Sequence, residues 1–236
     1  MSNNIKLFKQ GQLKRRYFLE RTRHNEKTII AVEGVPFILI AAFLSLIAYF
    51  TGFTIVAILL GIITIFIVWF FRNPERAVPK GRGLIVAPAD GRIIEIKEVE
   101  ERRYIKEKCL KVSIFMNIFD VHVNRVPYPG TITGVFYNKG KFMAADKEMA
   151  SLANEHNAVL LSTPEGKKIL FIQIAGLIAR RIACWVKRGD EVERGQRFGL
   201  IRFGSRVDIY LPLGVKLRVF VGNKTKAGVT ILGVIE

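Results

Sequence analysis

The chain has 236 residues, 37 Lys+Arg against 20 Asp+Glu, a net charge of +17, and a half-hydrophobic composition. Disorder needs low hydrophobicity and is excluded; a disulfide framework is excluded because the only two cysteines, Cys109 and Cys184, lack CxxC spacing. A chain both basic and apolar points to nucleic acid or an anionic membrane surface as partner.

Residues 1–34 form a basic arm with eight Lys/Arg and three acids, net +5. From Val35 to Phe71 there follow 37 positions without a charge. As one helix this stretch would run about 55 Å, against a hydrocarbon core of about 30 Å. A two-helix membrane hairpin broken near Thr51-Gly52 fits better, with helices over about Val35–Phe50 and Phe53–Phe71. Both are short for a span, so the bilayer thins around them or the hairpin only dips into it. Trp69, Phe70 and Phe71 suit an interfacial aromatic belt. The run starts too late for a signal peptide and lacks a small-residue cleavage site. Arg72, Arg76, Lys80 and Arg82 follow at once, and residues 72–236 carry net +12. Basic flanks on both sides predict that both stay cytoplasmic at the cell membrane, which a hairpin satisfies and a single span does not.

Residues 72–236 read as one β domain. Short apolar or alternating runs are punctuated by Gly, Pro and Asn. Strands are expected at Leu84–Ala87, Gly91–Val99, Cys109–Phe115, Gly130–Tyr137, Ala158–Ser162, Lys168–Ile174, Ile182–Val186, Arg197–Phe203, Arg206–Leu211 and Lys216–Val221. Val, Ile and Phe dominate them. One short helix is expected over Ala145–His156. The predicted fold is mainly β, an antiparallel β-sandwich or flattened barrel behind an α-helical membrane hairpin. The run from Trp185 to Ile201, with Gly189-Asp190 and Gly195-Gln196 at its turns, resembles the hairpin of biotinyl/lipoyl-type domains. Asp190 is expected to cap its turn. No Met-Lys pair is present to carry a modification, so the likeness points to the fold. A non-catalytic reading stays open: a membrane-anchored, lipoyl-like binding or scaffold module with an intact chain that tolerates Ser205→Ala.

Three short motifs bear chemistry. They are Ala87-Pro88-Ala89-Asp90-Gly91, Asp120-Val121-His122-Val123-Asn124-Arg125-Val126-Pro127, and Arg202-Phe203-Gly204-Ser205-Arg206-Val207-Asp208. A lone Gly-Ser pair is an ordinary turn. In this order and spacing the three motifs resemble phosphatidylserine decarboxylase proenzymes of the short, archaeal-type form, from about Asn73 to the C-terminus.

The resemblance implies self-cleavage between Gly204 and Ser205. The Ser205 hydroxyl would attack the Gly204 carbonyl to give an ester. Elimination and hydrolysis would then leave a pyruvoyl group at position 205. The products would be a heterodimer of a β chain, residues 1–204, and an α chain beginning at 205, with a higher homo-oligomer left open. The pyruvoyl cofactor would form a Schiff base with phosphatidylserine, and loss of CO₂ would give phosphatidylethanolamine in phospholipid biosynthesis. Asp90 is the matching residue for activating Ser205, directly or through a histidine, and His122 for moving the proton, since imidazole titrates near neutrality.

The chain departs from the long bacterial form at Arg125, where that form has a second histidine in its self-cleavage triad. Arginine cannot act as a base at neutral pH. Either His122 serves both steps or Asp90 acts without a histidine relay, and Arg125 instead suits a substrate phosphate or carboxylate. His156, in Asn154-Glu155-His156-Asn157, reads as a surface or capping histidine or as a substrate-facing one. Three histidines without a Cys/His cluster predict no metal site. Glu98, Glu100 and Glu101 read as a solvated edge. A nucleic-acid-binding barrel is disfavoured by the hairpin and the lack of clustered aromatic-basic strands.

Overall fold

A computed structural model describes residues 28–140, 154–176, 181–202 and 205–235. Residues 1–27 of the basic arm, 145–153 of the expected helix, and Gly204 lie outside the described residues. The chain divides into two compact units, Met1–Pro74 and Glu75–Glu236.

In the first unit a 3-10 turn, Val32–Gly34, leads into α1 (Val35–Phe50) and then α2 (Thr54–Phe70). The break falls at Thr51-Gly52, where Gly52 takes φ +84° and Thr51 Oγ1 donates to the Ile47 carbonyl at 2.8 Å. Small residues line the helix contact. Ala41, Ala48 and Ala57 are buried, and Ser45 Oγ donates to the Ala57 carbonyl at 2.8 Å. Small residues let two backbones approach closely without a hydrophobic driving force from water. The outward residues Leu39, Phe43, Ile55 and Ile65 are exposed and apolar too. A helix pair apolar all round suits lipid better than water. The chain enters and leaves side by side: Ile30 and Arg72 form an antiparallel bridge, and Ala31 N–H donates to the Phe71 carbonyl at 2.8 Å. Val32–Phe50, 19 residues of mean hydropathy 2.0, is long and apolar enough to cross a membrane; α2 is shorter.

The second unit holds fourteen strands in chain order: β1 (Leu84–Val86), β2 (Gly91–Glu101), β3 (Glu107–Met116), β4 (Val123–Arg125), β5 (Gly130–Asn138), β6 (His156–Ser162), β7 (Lys168–Ala175), β8 (Ile182–Cys184), β9 (Glu191–Val192), β10 (Arg197–Ile201), β11 (Ser205–Pro212), β12 (Lys216–Leu217), β13 (Lys224–Thr225) and β14 (Ile231–Val234). They build one eight-stranded sheet, β13-β2-β3-β11-β7-β6-β5-β9, and two three-stranded sheets, β1-β14-β12 and β4-β10-β8. All pairings are antiparallel among the described residues. The mainly antiparallel β fold is as expected. The core joins Ile93, Ile114, Phe171 and Val207 of the large sheet to Phe198 and Ile201 of β10 and to Ile85 and Leu232.

Two local expectations fail. His156 does not end a helix; it opens β6, paired with Asn138 and Ile174, because sheet pairing overrides a weak helical pattern. Glu101 is not solvated: it is 9% exposed, and its carboxylate accepts the N–H groups of Arg103, Tyr104 and Ile105 in the following turn. In the lipoyl-like hairpin, Asp190 Oδ2 accepts Lys187 N–H at 2.9 Å, capping the turn as expected.

Candidate active site

Ser205 is the first residue of β11 and is fully buried. Its backbone pairs with Met116 on one side and Ala175 on the other, so it sits in the middle of the eight-stranded sheet. Alternation puts Ser205, Val207, Ile209 and Leu211 on the core face, and Arg206, Asp208 and Tyr210 on the opposite one.

On the core face a chain of uncharged groups leads away from Ser205. Its hydroxyl donates to Met116 Sδ at 3.4 Å, and Asn124 Nδ2 approaches the same sulfur at 3.6 Å. Asn124 Oδ1 accepts from Gln173 Nε2 at 2.9 Å, and Gln173 Oε1 accepts from Asn157 Nδ2 at 3.1 Å. Asn124 and Gln173 are fully buried. Gly199 of β10 makes room for this chain, since a Cβ there would lie 2.9 Å from Gln173 Nε2 and 2.4 Å from the Ala183 carbonyl oxygen.

The opposite face is ionic. Arg206 Nε lies 2.9 Å from Asp208 Oδ1, and Lys111 Nζ lies 2.6 Å from Glu95 and 3.6 Å from Asp208. Burial alone would raise the Glu95 carboxyl, but hydrogen bonds from Lys111 and Lys97 outweigh it and hold the pKa at about 2. Tyr210 on the same face is pushed well above its ordinary value by burial and by Asp208.

His122 is fully buried just before β4. Its Nδ1 lies 3.0 Å from the Asp120 carbonyl oxygen. A carbonyl only accepts, so Nδ1 carries the proton and Nε2 is the basic nitrogen. Ile201 N–H donates to the His122 carbonyl at 3.4 Å, which sets His122 beside the end of β10, four residues before Ser205.

Asp90 precedes β2, where Gly91 takes φ +145° and a Cβ would lie 2.0 Å from the Phe115 carbonyl oxygen, so only glycine fits. The Asp90 carboxylate accepts from Arg76 Nη2 at 2.8 Å and from Ala227 N–H at 2.7 Å. β3 lies between β2 and β11, which places the two strands about 10 Å apart. No hydrogen bond among the described residues joins Asp90 to Ser205 or His122.

Arg125 is 5% exposed and donates to the Gly195 carbonyl at 2.8 Å. Burial, then the charges of Arg197 and Arg76, lower its pKa to about 10, so it stays a cation at neutral pH. His156 is buried rather than at the surface. Nδ1 donates to the Asn154 carbonyl at 2.8 Å, and Nε2 lies 3.4 Å from the Tyr104 hydroxyl on the sheet face opposite Ser205. No cluster of three or more His, Cys, Asp or Glu among the described residues is arranged to hold a metal.

The structure thus joins two motifs, Ser205 and Asn124, through Met116, and sets Asp90 apart with Arg76. Sequence reasoning assigned no site role to Met116 and Gln173, placed Arg76 only in the basic flank, and placed Asn157 only in the motif around His156. Gln173 had a signal, a lone amide inside the apolar run Leu170–Ala175. Met116 and Arg76 had none, because a core Met and a surface-like Arg are ordinary.

A sequence profile of the phosphatidylserine decarboxylase family matches residues 63–233. The chain belongs to the phosphatidylserine decarboxylase family. Among similar proteins, a phosphatidylserine decarboxylase proenzyme of Syntrophus aciditrophicus is 51% identical over 87% of this chain and 97% of its own length. Those of Geotalea uraniireducens and Desulfotalea psychrophila are 47% and 48% identical, over 89% and 86% of this chain and 99% and 95% of theirs. The match includes all three motifs and the last eight residues of α2, 63–70.

Proposed function

We propose that this chain is a proenzyme that cleaves itself between Gly204 and Ser205 and then decarboxylates phosphatidylserine to phosphatidylethanolamine at an anionic membrane. The observation that carries this reading is the placement of Ser205, buried at the start of a central strand and paired on both sides. Scission before Ser205 leaves β11 between β3 and β7, so the chain beginning at 205 stays in the sheet without a covalent link.

Ser205 Oγ attacks the Gly204 carbonyl, and the broken peptide becomes an ester. A hydroxyl is a weak nucleophile and needs a base for its proton; His122 Nε2 is the candidate. Asp90 acts by position, holding Arg76 and the Ala227 turn. The surroundings fit a small keto-acyl group at 205, because Ser205 meets the Met116 thioether, which the Asn124 carboxamide approaches from its other side. The pyruvoyl carbonyl supplies an electron sink for loss of CO₂. His122 returns a proton from nitrogen to the substrate carbon. Arg125, Arg76 and Arg197, set against Glu75 on Arg197 at 2.7 Å and Asp90 on Arg76 at 2.8 Å, leave an excess of one positive charge that attracts the lipid phosphate. The α1–α2 hairpin anchors the enzyme at the cell membrane with residues 72–236 on the cytoplasmic side.

Intact mass and a denaturing gel test this. Active preparations should show two chains and a blocked residue 205, and Ser205→Ala should stay single and inactive. One intact chain with unmodified Ser205 in an active preparation would sink the reading. His122→Ala should lower decarboxylation about a hundredfold; loss of scission as well assigns it to both steps.

A further inference from the structure

Two turns of the second unit brace themselves with polar groups and point apolar side chains outward. In the first, Asn117–Asp120, Asn117 N–H donates to Asp120 Oδ2 at 2.9 Å, Phe119 N–H to Asn117 Oδ1 at 2.8 Å, and Asp120 N–H to the Asn117 carbonyl at 3.1 Å. Phe119 is 63% exposed and Ile118 38%. In the second, Phe220–Asn223, Phe220 N–H donates to Asn223 Oδ1 at 2.9 Å and Asn223 N–H to the Phe220 carbonyl at 3.1 Å. Phe220 is 75% exposed and Val221 58%. Turn tips ordinarily carry Gly, Asn, Asp or Ser. Here Asn and Asp serve as braces; Ile118-Phe119 form one tip, and in the other Phe220 and Val221 stand exposed before Gly222.

A cleft of about 610 Å³ adjoins them, with Asn117, Asp120, Arg92, Lys224, Lys226 and Asp90 in its walls. The first turn supplies Asn117 and Asp120. The second is tied to the other wall by Arg92 Nη1, which donates to the Gly222 carbonyl at 2.9 Å, and continues directly into Lys224. Both acids of the cleft are already engaged, Asp90 by Arg76 and Ala227 N–H, and Asp120 by Asn117 N–H. Arg92, Lys224 and Lys226 are exposed and set the sign of the rim.

We propose that these two turns and the cleft they adjoin are the surface by which the second unit seats on an anionic lipid bilayer. The apolar tips enter the acyl boundary while Arg92, Lys224 and Lys226 meet lipid phosphates at headgroup level, the arrangement of an interfacial anchor. A headgroup held there reaches a cleft that has Asp90 in its wall. The inference rests on the reading of a membrane-lipid substrate, and it adds a second contact independent of α1 and α2.

The test uses the full chain in phosphatidylcholine vesicles with and without phosphatidylglycerol. An environment-sensitive fluorophore is placed on Phe119→Cys or Phe220→Cys, with Cys109 and Cys184 changed to Ala. Lys108→Cys, exposed at the other end of β3, is the reference. Correct folding of each variant is checked by its circular dichroism and melting temperature against the parent chain. Labels at 119 and 220 should shift to the blue and be quenched by brominated acyl chains when phosphatidylglycerol is present, while the label at 108 is not. Lys224→Glu with Lys226→Glu should weaken vesicle-dependent quenching at 220 about tenfold. Labels at 119 and 220 that behave like 108, quenching unchanged by the charge reversal, or a response to a protein and not to vesicles would overturn it. The readout is independent of turnover, so quenching without decarboxylation counts against the proposed function and not against this surface.

Discussion

Ser205 and Arg206 are neighbours on one strand and face opposite worlds. On the Ser205 side the chain runs through a thioether and three carboxamides, with no charge in it. On the Arg206 side three cations, Arg206, Lys111 and Lys97, and two carboxylates, Asp208 and Glu95, lie within ion-pair distance. Under the proposed function the difference would separate reaction from retention. A fixed carboxylate beside the reacting atoms would repel a substrate carboxylate, and a fixed guanidinium would hold one that must leave; neutral amides do neither. A buried ion cluster is costly to break once formed. It therefore suits a strand that, in the proposed reaction, would have to stay in place when the bond before it is cut.

Breaking the ionic face should have the largest effect on stability. Asp208→Asn leaves Arg206 and Lys111 undercompensated and should cost about 3 kcal/mol, read by denaturant unfolding in a Ser205→Ala background. Scission in the folded fraction of the Ser205-containing protein should proceed at nearly the parent rate. If scission falls as far as stability, the division between the faces is wrong.

Bringing a charge onto the neutral face should act on rate instead. Gln173→Glu buries a carboxyl beside Asn124 and Asn157, and burial raises its pKa. Scission followed on a gel should slow about tenfold at neutral pH. It should recover as the pH falls and the carboxyl is protonated. Asn124→Leu should slow scission at every pH, since it leaves Gln173 Nε2 without its acceptor, at a stability cost of about 2 kcal/mol.

The smallest effect belongs to pH. Glu95 is held at about 2 in the fold against an ordinary 4.5. A depressed carboxyl stabilises the folded state fully above the unfolded value and loses that contribution as pH falls from 4.5 toward 2. Melting temperatures of the Ser205→Ala protein should drop across that window. Lys111→Met should flatten the drop while lowering stability at neutral pH.

Much of this was legible in order along the chain. An uncharged block has no stable place in water, so the helices and their break at Thr51-Gly52 followed from 37 uncharged positions and one flexible turn. Alternating Val, Ile and Phe marked most strands. The strands missed, β4, β9, β13 and β14, are two to four residues long, too short for a period to register. The three motifs named the family and nominated Ser205, Asp90 and His122. What the sequence could not express was distance. Met116 meets Ser205, and Asn124 and Gln173 connect to it in turn, only because the fold brings β3, β4 and β7 together beside β11. Asp90 falls two strands away because β3 intervenes. Arg206 and Asp208, given no role of their own in the sequence, are buried partners only because the pleat turns them from Ser205 onto a covered face. Composition and period depend on neighbours along the chain; a site depends on neighbours across it, and only the packed sheet decides those.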